Sequence, residues 1–567
     1  MSADRPTGVD LLAGATALLV PIAYLPFVDA PFWSPKVAVL LPGAAVGLTC
    51  VPALLRSDAR RATRAGVALL VVASLSAVLS ADVGQAVFGH YNAGTGLVFL
   101  FAIVGMWALG TSTTAAGRRR VLLGLVAGVG ASAAVAVLQV VVDLGVPFLG
   151  IAEGIRPTGL AGNPVHLAAL AGGVVALAAT RVVATSPRWL VVMGAGAVVV
   201  QLSGSRFALL TLPLVVLGLL VRRGWRPAAA AALVVVVGLA LGSGTPTRGV
   251  QETSSTERLT TTTASGGGVS ARTETWLSAR HSIAEHPLLG VGPGRFRAAT
   301  SPHRSLELAR IERPEILYED AHNLVVEHVT TIGALGLAAL VSWLGLALVR
   351  AREPATAAFA VAVLVLHLVQ PQGVGTTPLL LLALGASAGG AATVQARGRR
   401  TVLLPAAAGL VALAASGALL VGDAQLQRAR LDFDDAASAS AVELLRPWPT
   451  PASVRARLFR FQAIDDPGGQ AGEEAFRWRR VALARAPDAP SLWNLLAADQ
   501  LADGDERGAA ASFARALALD PWSVAALNGV ARTNLALGRT ELASEAAARS
   551  LLVVADQPAI EELLEGP

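Results

Sequence analysis

Apolar stretches long enough to cross a bilayer recur from residue 9 to residue 422, more than the core of a soluble domain could absorb. A transmembrane helix needs about 20 mostly apolar residues, because lipid offers backbone polar groups no partner outside the helix. Hydropathy predicts thirteen such spans, near 9–28, 36–55, 65–82, 94–111, 121–145, 163–183, 188–203, 206–221, 227–243, 322–349, 355–370, 377–394 and 401–422. Only 15% of the residues are charged, against about 25% in soluble domains. The expected fold is all-α: a polytopic transmembrane helical bundle over 1–422, a linker over 423–452 and an α-helical repeat domain over 453–567.

Arg5 precedes the first apolar run, and Val28-Asp29-Ala30 has the small-residue look of a signal-peptide cleavage site. The run is long and further spans follow at once, so a retained first helix is expected. The excess of 45 Lys+Arg over 39 Asp+Glu does not mark a nucleic-acid binder, since outside the tail most arginines sit in short breaks between spans. Cys50 is the only cysteine, which excludes an intrachain disulfide and a thiolate metal cluster.

Loop charge sets the orientation. Alternate loops carry Arg56, Arg60, Arg61 and Arg64; Arg118, Arg119 and Arg120; Arg181 and Arg188; Arg222, Arg223 and Arg226; Arg350 and Arg352; and Arg397, Arg399 and Arg400. The short loops of the other side offer only Lys36, Arg156 and Arg206, and Lys36 is the chain's only lysine. A cytoplasmic N-terminus follows, with the segments 146–162, 203–206 and 244–321 and everything after residue 422 outside. The long outer segment opens on a Ser/Thr/Gly-rich linker, Thr253 to Gly268. It continues as an amphipathic helix over 271–285, with Trp276, Ala279 and Ile283 on one face, expected to lie on the outer membrane surface.

Arg156 and Arg206 stand out because they lie on the side that should be poor in positive charge. Each could be a snorkelling anchor, but a guanidinium also presents a donor fork suited to phosphate oxygens. His322 sits where the long segment returns to the membrane, in Asp320-Ala321-His322-Asn323. A neutral imidazole there could take a proton from a sugar hydroxyl, with Glu319 or Asp320 orienting the ring; the plainer reading is a helix cap.

Several motifs in order resemble the O-antigen ligase and polymerase superfamily. They are Gly159-Leu160-Ala161-Gly162-Asn163-Pro164 opening a span, Ser205-Arg206 at a span start, Arg272-x-x-x-Trp276, and His286-Pro287-Leu288-Leu289-Gly290-Val291-Gly292-Pro293-Gly294-x-Phe296. Ala321-His322-Asn323 and Gly333-x-x-Gly336-Leu337 complete the set, and Phe27 to Lys36 resembles the family's first outer loop. The resemblance covers roughly residues 20–390. It implies a GT-C-like, metal-independent glycosyltransferase of the cell membrane that uses no cofactor. Such an enzyme moves a glycan from a polyprenyl diphosphate carrier to a hydroxyl of a glycan, lipid or protein acceptor. The implied catalytic residues are His322 and Arg206, and the implied substrate-binding residues are Arg156, Asn163, Arg272 and Asn323. Ligase, polysaccharide polymerase and protein O-oligosaccharyltransferase all remain open.

Other residues carry plainer readings. The run after His286 is expected to be a tight surface turn rather than a phosphate cradle, because it does not open a helix. His166 and His367 lie inside spans with no carboxylate at ligand spacing and are expected to pack or meet water. No cluster suggests a metal site, and His303 and Arg304 could at most brush an acceptor. A transporter or a membrane scaffold is the competing class. Transporters carry charged or broken helices at mid-membrane, whereas these spans are nearly free of charge.

The tail repeats with a period of 34 residues. Ala475, Ala509 and Ala543 are spaced so, as are Gly504 and Gly538, and Ala482-Leu483-Ala484-x-x-Pro487 recurs as Ala516-Leu517-Ala518-x-x-Pro521. Trp493, Leu496, Gly504, Ala509, Phe513, Ala516 and Pro521 match the tetratricopeptide pattern. Two repeats over 487–555 and a weaker one from about 453 are expected, and their groove would take a protein partner.

Overall fold

The computed structural model describes residues 6–142, 156–184, 186, 188–244, 269–312, 314, 316–388, 399–465 and 470–565. The expected linker Thr253–Gly268 and residues 146–155 lie outside them. Among the described residues every regular element is helical. Seven helices are long and apolar enough to cross a membrane: Ser34–Leu54, Arg60–Val78, Ala115–Val141, Pro164–Val182, Trp225–Ser243, Leu324–Val349 and Leu403–Leu431. Six shorter apolar helices fall in the other expected spans: Gly8–Leu19, Leu97–Thr111, Trp189–Leu202, Arg206–Val221, Pro354–Leu366 and Thr377–Ser387. The chain is a multi-pass membrane protein.

Two expected boundaries move for clear reasons. The first helix stops at Leu19 rather than near 28, because Pro21 has no N–H and its ring would strike the carbonyl four residues back. The last helix runs on to Leu431, and Asp434 caps a further helix, Asp435–Leu444. Much of the stretch expected as linker, 423–452, is therefore helix. It is anchored as well: Asp423 accepts from Ser34 Oγ at 2.5 Å and from Ala30 N at 3.1 Å, and Tyr91 also donates to it.

Small residues let the spans touch at backbone distance, the usual basis of helix association in lipid. A Cβ added at Gly47 would strike the Gly105 carbonyl, and one at Gly385 would strike the Trp107 carbonyl. Helix Leu97–Thr111 is thus clamped between Ser34–Leu54 and Thr377–Ser387. Trp107 and Trp343, both buried, meet edge to face beside it at 5.8 Å.

The helix Leu324–Val349, here called the return helix, is interrupted at Gly333, whose φ of 70° is left-handed. The run after His286, expected as a surface turn, is threaded into that interruption. Val291 and Gly292 donate to the carbonyls of Thr330 and Thr331 (3.1 and 2.8 Å), and Ala334 and Leu335 donate back to Pro287 and Leu288 (2.9 and 3.2 Å). Ser76 Oγ donates to Leu289 O at 2.6 Å, and Ser80 Oγ to Val291 O at 2.8 Å. Non-helical backbone is tolerated in a membrane protein only where protein satisfies it, and here the two irregular stretches satisfy each other.

The outer helix Val269–Glu285 corrects a second expectation. Its apolar face does not simply rest on lipid. Trp276, Ala279 and Ile283 pack against Phe296 and Ala321 of the same segment and against Val326 of the return helix. The tail stacks three antiparallel helix pairs: Thr450–Asp465 with Ala471–Arg485, Pro490–Ala502 with Glu506–Leu519, and Val524–Ala536 with Thr540–Val553. This is a tetratricopeptide-like arrangement, and Gly504 and Gly538 turn the corners at φ of 78° and 72°. The tail also contacts the outer segment, through Arg304–Asp520 at 3.1 Å, Arg295–Asp488 at 2.8 Å and Arg310 Nε to Leu552 O at 2.6 Å.

Candidate active site at the return to the membrane

The local sequence Asp320-Ala321-His322-Asn323 builds one compact device. Asp320 Oδ1 accepts the His322 backbone N–H at 2.7 Å, an Asx-turn. His322 takes the left-handed conformation, φ 51°, uncommon for any residue but glycine. Asn323 then caps the return helix, its Oδ1 accepting from Val325 N at 2.9 Å and Val326 N at 3.1 Å. The strained residue is held from the side as well, since Trp276 Nε1 donates to Ala321 O at 2.8 Å.

The same Asp320 Oδ1 lies 2.8 Å from His322 Nδ1. That contact places the ring proton on Nδ1 and leaves Nε2 with its lone pair. Tyr318 meets the imidazole edge to face at 5.3 Å. Burial works against ionisation of Asp320, yet the His322 ring and N–H, with His166 nearby, hold its carboxyl below the usual carboxylate range. Glu319 goes the other way: burial pushes it up, Arg297 opposes and Asp320 adds to the rise. The two adjacent carboxyls are therefore pushed in opposite directions.

The arginines gather around the turn 203–206. Arg156 Nη1 donates to Ser203 O and Gly204 O at 3.3 and 3.2 Å. Gly204, at φ 65°, leaves room for it, because a Cβ there would strike the Arg156 side chain. Gln370 Nε2 donates to Ser205 Oγ at 2.9 Å, and its neighbour Val369 accepts from Arg272 Nη1 at 2.9 Å. Arg272 lies over the Phe207 ring at 5.2 Å. Burial pushes the Arg272 guanidinium below its ordinary value; Tyr318 and Asp320 oppose this and Arg206 adds to it. Arg272 thus senses both Arg206 and the Asp320 carboxylate, which joins the arginine group to the histidine loop.

Asn163 lies at the head of helix Pro164–Ala184 and accepts from Val165 N at 2.8 Å, a cap like that of Asn323. His367 is buried, its Nε2 3.2 Å from Thr377 Oγ1, and its backbone carbonyl accepts the Leu324 N–H at 2.8 Å. Sequence reasoning passed over Lys36 as a site neighbour. It is 1% exposed, and its ammonium donates to Ala23 O at 2.8 Å and Leu160 O at 2.7 Å, tying the first outer loop to the turn before Asn163. A lysine alone in the whole chain and placed at a span start was the signal available. A small cavity of about 30 Å³, walled by Asp320, Glu327, His328 and Gly94–Gly96, lies beside the loop, room for a water or two.

A family model described as O-antigen ligase matches residues 189–341, the stretch that holds Arg206, Arg272, Asp320 and His322. No curated protein matches. Among solved structures, a chain from the crystal structure of the APC/C hetero-tetramer Cut9-Hcn1 is similar at 13% identity, over 72% of this chain and 84% of that one. The TM-score of 0.17 is too low to bear on the fold.

Proposed function

The chain carries an O-antigen ligase family domain at residues 189–341, and from that premise we propose that it transfers a glycan from a polyprenyl diphosphate carrier to an acceptor hydroxyl at the outer face of the cell membrane. The observation that carries this reading is the Asp320–His322 contact at 2.8 Å, inside the stretch that the family model matches. His322 Nε2 takes the proton of the acceptor hydroxyl as its oxygen bonds to the anomeric carbon. The bond from that carbon to the diphosphate breaks, and its electron pair leaves with the diphosphate. Asp320 stabilises the imidazolium that forms. Arg272 and Arg206 face the charge that builds on the departing group, where fixed donors in a partly dry site are most effective. Arg156 fixes the turn that carries Arg206.

His322→Ala should leave the protein in the membrane and lower transfer by about 10²–10⁴-fold, the usual worth of general-base assistance. His286→Ala is the control, and its effect should appear in protein level before rate. Equal transfer per folded molecule in His322→Ala and wild type would sink the base assignment. The orientation is tested separately, with reporter fusions after Gly268 and after Glu443. Both should signal from outside; a cytoplasmic signal from either overturns it.

A further inference from the structure

A second, larger cavity of about 100 Å³ has Glu319 in its wall. Three parts of the chain wall it. Helix Val83–Phe88 and the loop after it supply Gln85 and Tyr91, the outer segment supplies Arg297 and Glu319, and the tail supplies Pro449 and Arg485.

Its polar groups are incompletely used. Gln85 is 7% exposed, and its amide nitrogen lies 2.8 Å from His90 Nε2, while its carbonyl oxygen is buried with no hydrogen-bond partner. Trp448, between two wall residues, likewise has a buried indole N–H with no partner. Arg485 Nη1 donates to Trp448 O at 3.2 Å, and among the described residues no carboxylate lies within ion-pair distance of it. Arg297 holds Glu319 only loosely, at 3.6 Å. Two guanidinium groups, Arg297 and Arg485, and one carboxyl, Glu319, thus line the cavity, while Arg446 and Glu443 act on Arg485 from outside it. Beside the polar wall, Trp33, Phe88 and Tyr91 each meet the Trp448 ring, at 5.8, 6.3 and 5.9 Å.

An orphan acceptor on Gln85, the Tyr91 ring and the two guanidinium groups of the wall suit few ligands. A sugar ring supplies a hydroxyl for the first and a C–H face for the second. An anionic substituent answers the third through charge-assisted bonds. We propose that this cavity is a saccharide subsite for a sugar bearing a carboxylate or a phosphate, and that the tail completes it through Arg485. The proposal rests on the reading that the protein handles glycans and names part of what it accepts.

The test is saturation-transfer NMR on the full-length protein in lipid nanodiscs, with glucuronate, glucose 6-phosphate and neutral glucose as probes. Both anionic sugars should bind about tenfold more tightly than glucose, as a charge-assisted bond implies. Arg485→Gln keeps a donor for the Trp448 carbonyl but removes the charge, and should erase that preference while leaving the glucose signal. Arg485→Ala should behave alike. His322→Ala should bind all three as wild type does, so loss of transfer and loss of this subsite are read separately. The proposal is overturned if no sugar saturates wild type, if both Arg485 variants keep the preference, or if acetate or inorganic phosphate displaces the anionic sugars as well as they displace each other.

Discussion

The arginines around the turn 203–206 and those beneath the tail are one residue type used in opposite ways. Beneath the tail, Arg304 and Asp520 are buried against each other, with side chains 1% and 4% exposed, and Arg295 meets Asp488. Each pair cancels its own charge and fixes where two surfaces meet. Around the turn 203–206, Arg272 is held by a carbonyl and an aromatic face. Neither partner brings a negative charge to set against the guanidinium. What an arginine does is set by whether its partner carries a charge.

The sharpest way to break the comparison is under the tail. Arg304→Ala leaves Asp520 buried without its counter-charge, and removal of one member of such a pair costs about 3–5 kcal/mol. Limited proteolysis should then release the tail from the membrane body, and unchanged protection would show that the pair does not hold it. The arginine group should answer differently. Arg272→Lys keeps the charge and loses the planar fork, so transfer should fall by about 10²-fold, the worth of one preorganised donor, with melting temperature unchanged. A variant that loses stability and activity together would place Arg272 with the structural arginines.

The smallest effect is on pH, and its sign separates the two regions. Asp320 is held below the ordinary aspartate value of 3.8. The stability it contributes is present above that value and is lost as pH falls through its lower folded one. Asp520 is pushed up by burial, with Arg304 opposing. Its contribution is complete below the unfolded value and is lost as pH rises through the folded one. Melting curves from pH 3 to 7 should therefore diverge between Asp320→Asn and Asp520→Asn, each compared with wild type. Parallel curves would remove the distinction.

Most of the fold could be read from local pattern, because spans and repeats are written in periodic apolar and small residues. The surroundings of His322 were legible in part: a neighbouring carboxylate beside the ring was expected, while the left-handed turn and the Asn323 cap were not. What escaped depends on residues far apart in sequence. Nothing near Arg304 announces Asp520, 216 positions on, and nothing in Gly333 shows which chain fills the gap it makes. The helical character of 423–452 was masked by its charge, which reads as solvent-facing until Asp423 is seen to bond Ser34 and Ala30. The first helix was overextended because hydropathy is blind to Pro21.

The interlock at Gly333 constrains the order in which the chain can be assembled. Residues 286–292 leave the ribosome before Thr330–Leu335 exist. Their carbonyls and N–H groups find these partners only when the return helix arrives broken at the right place. The outer segment and the membrane body therefore finish folding in one step, and neither is a unit that could be exchanged between relatives without the other.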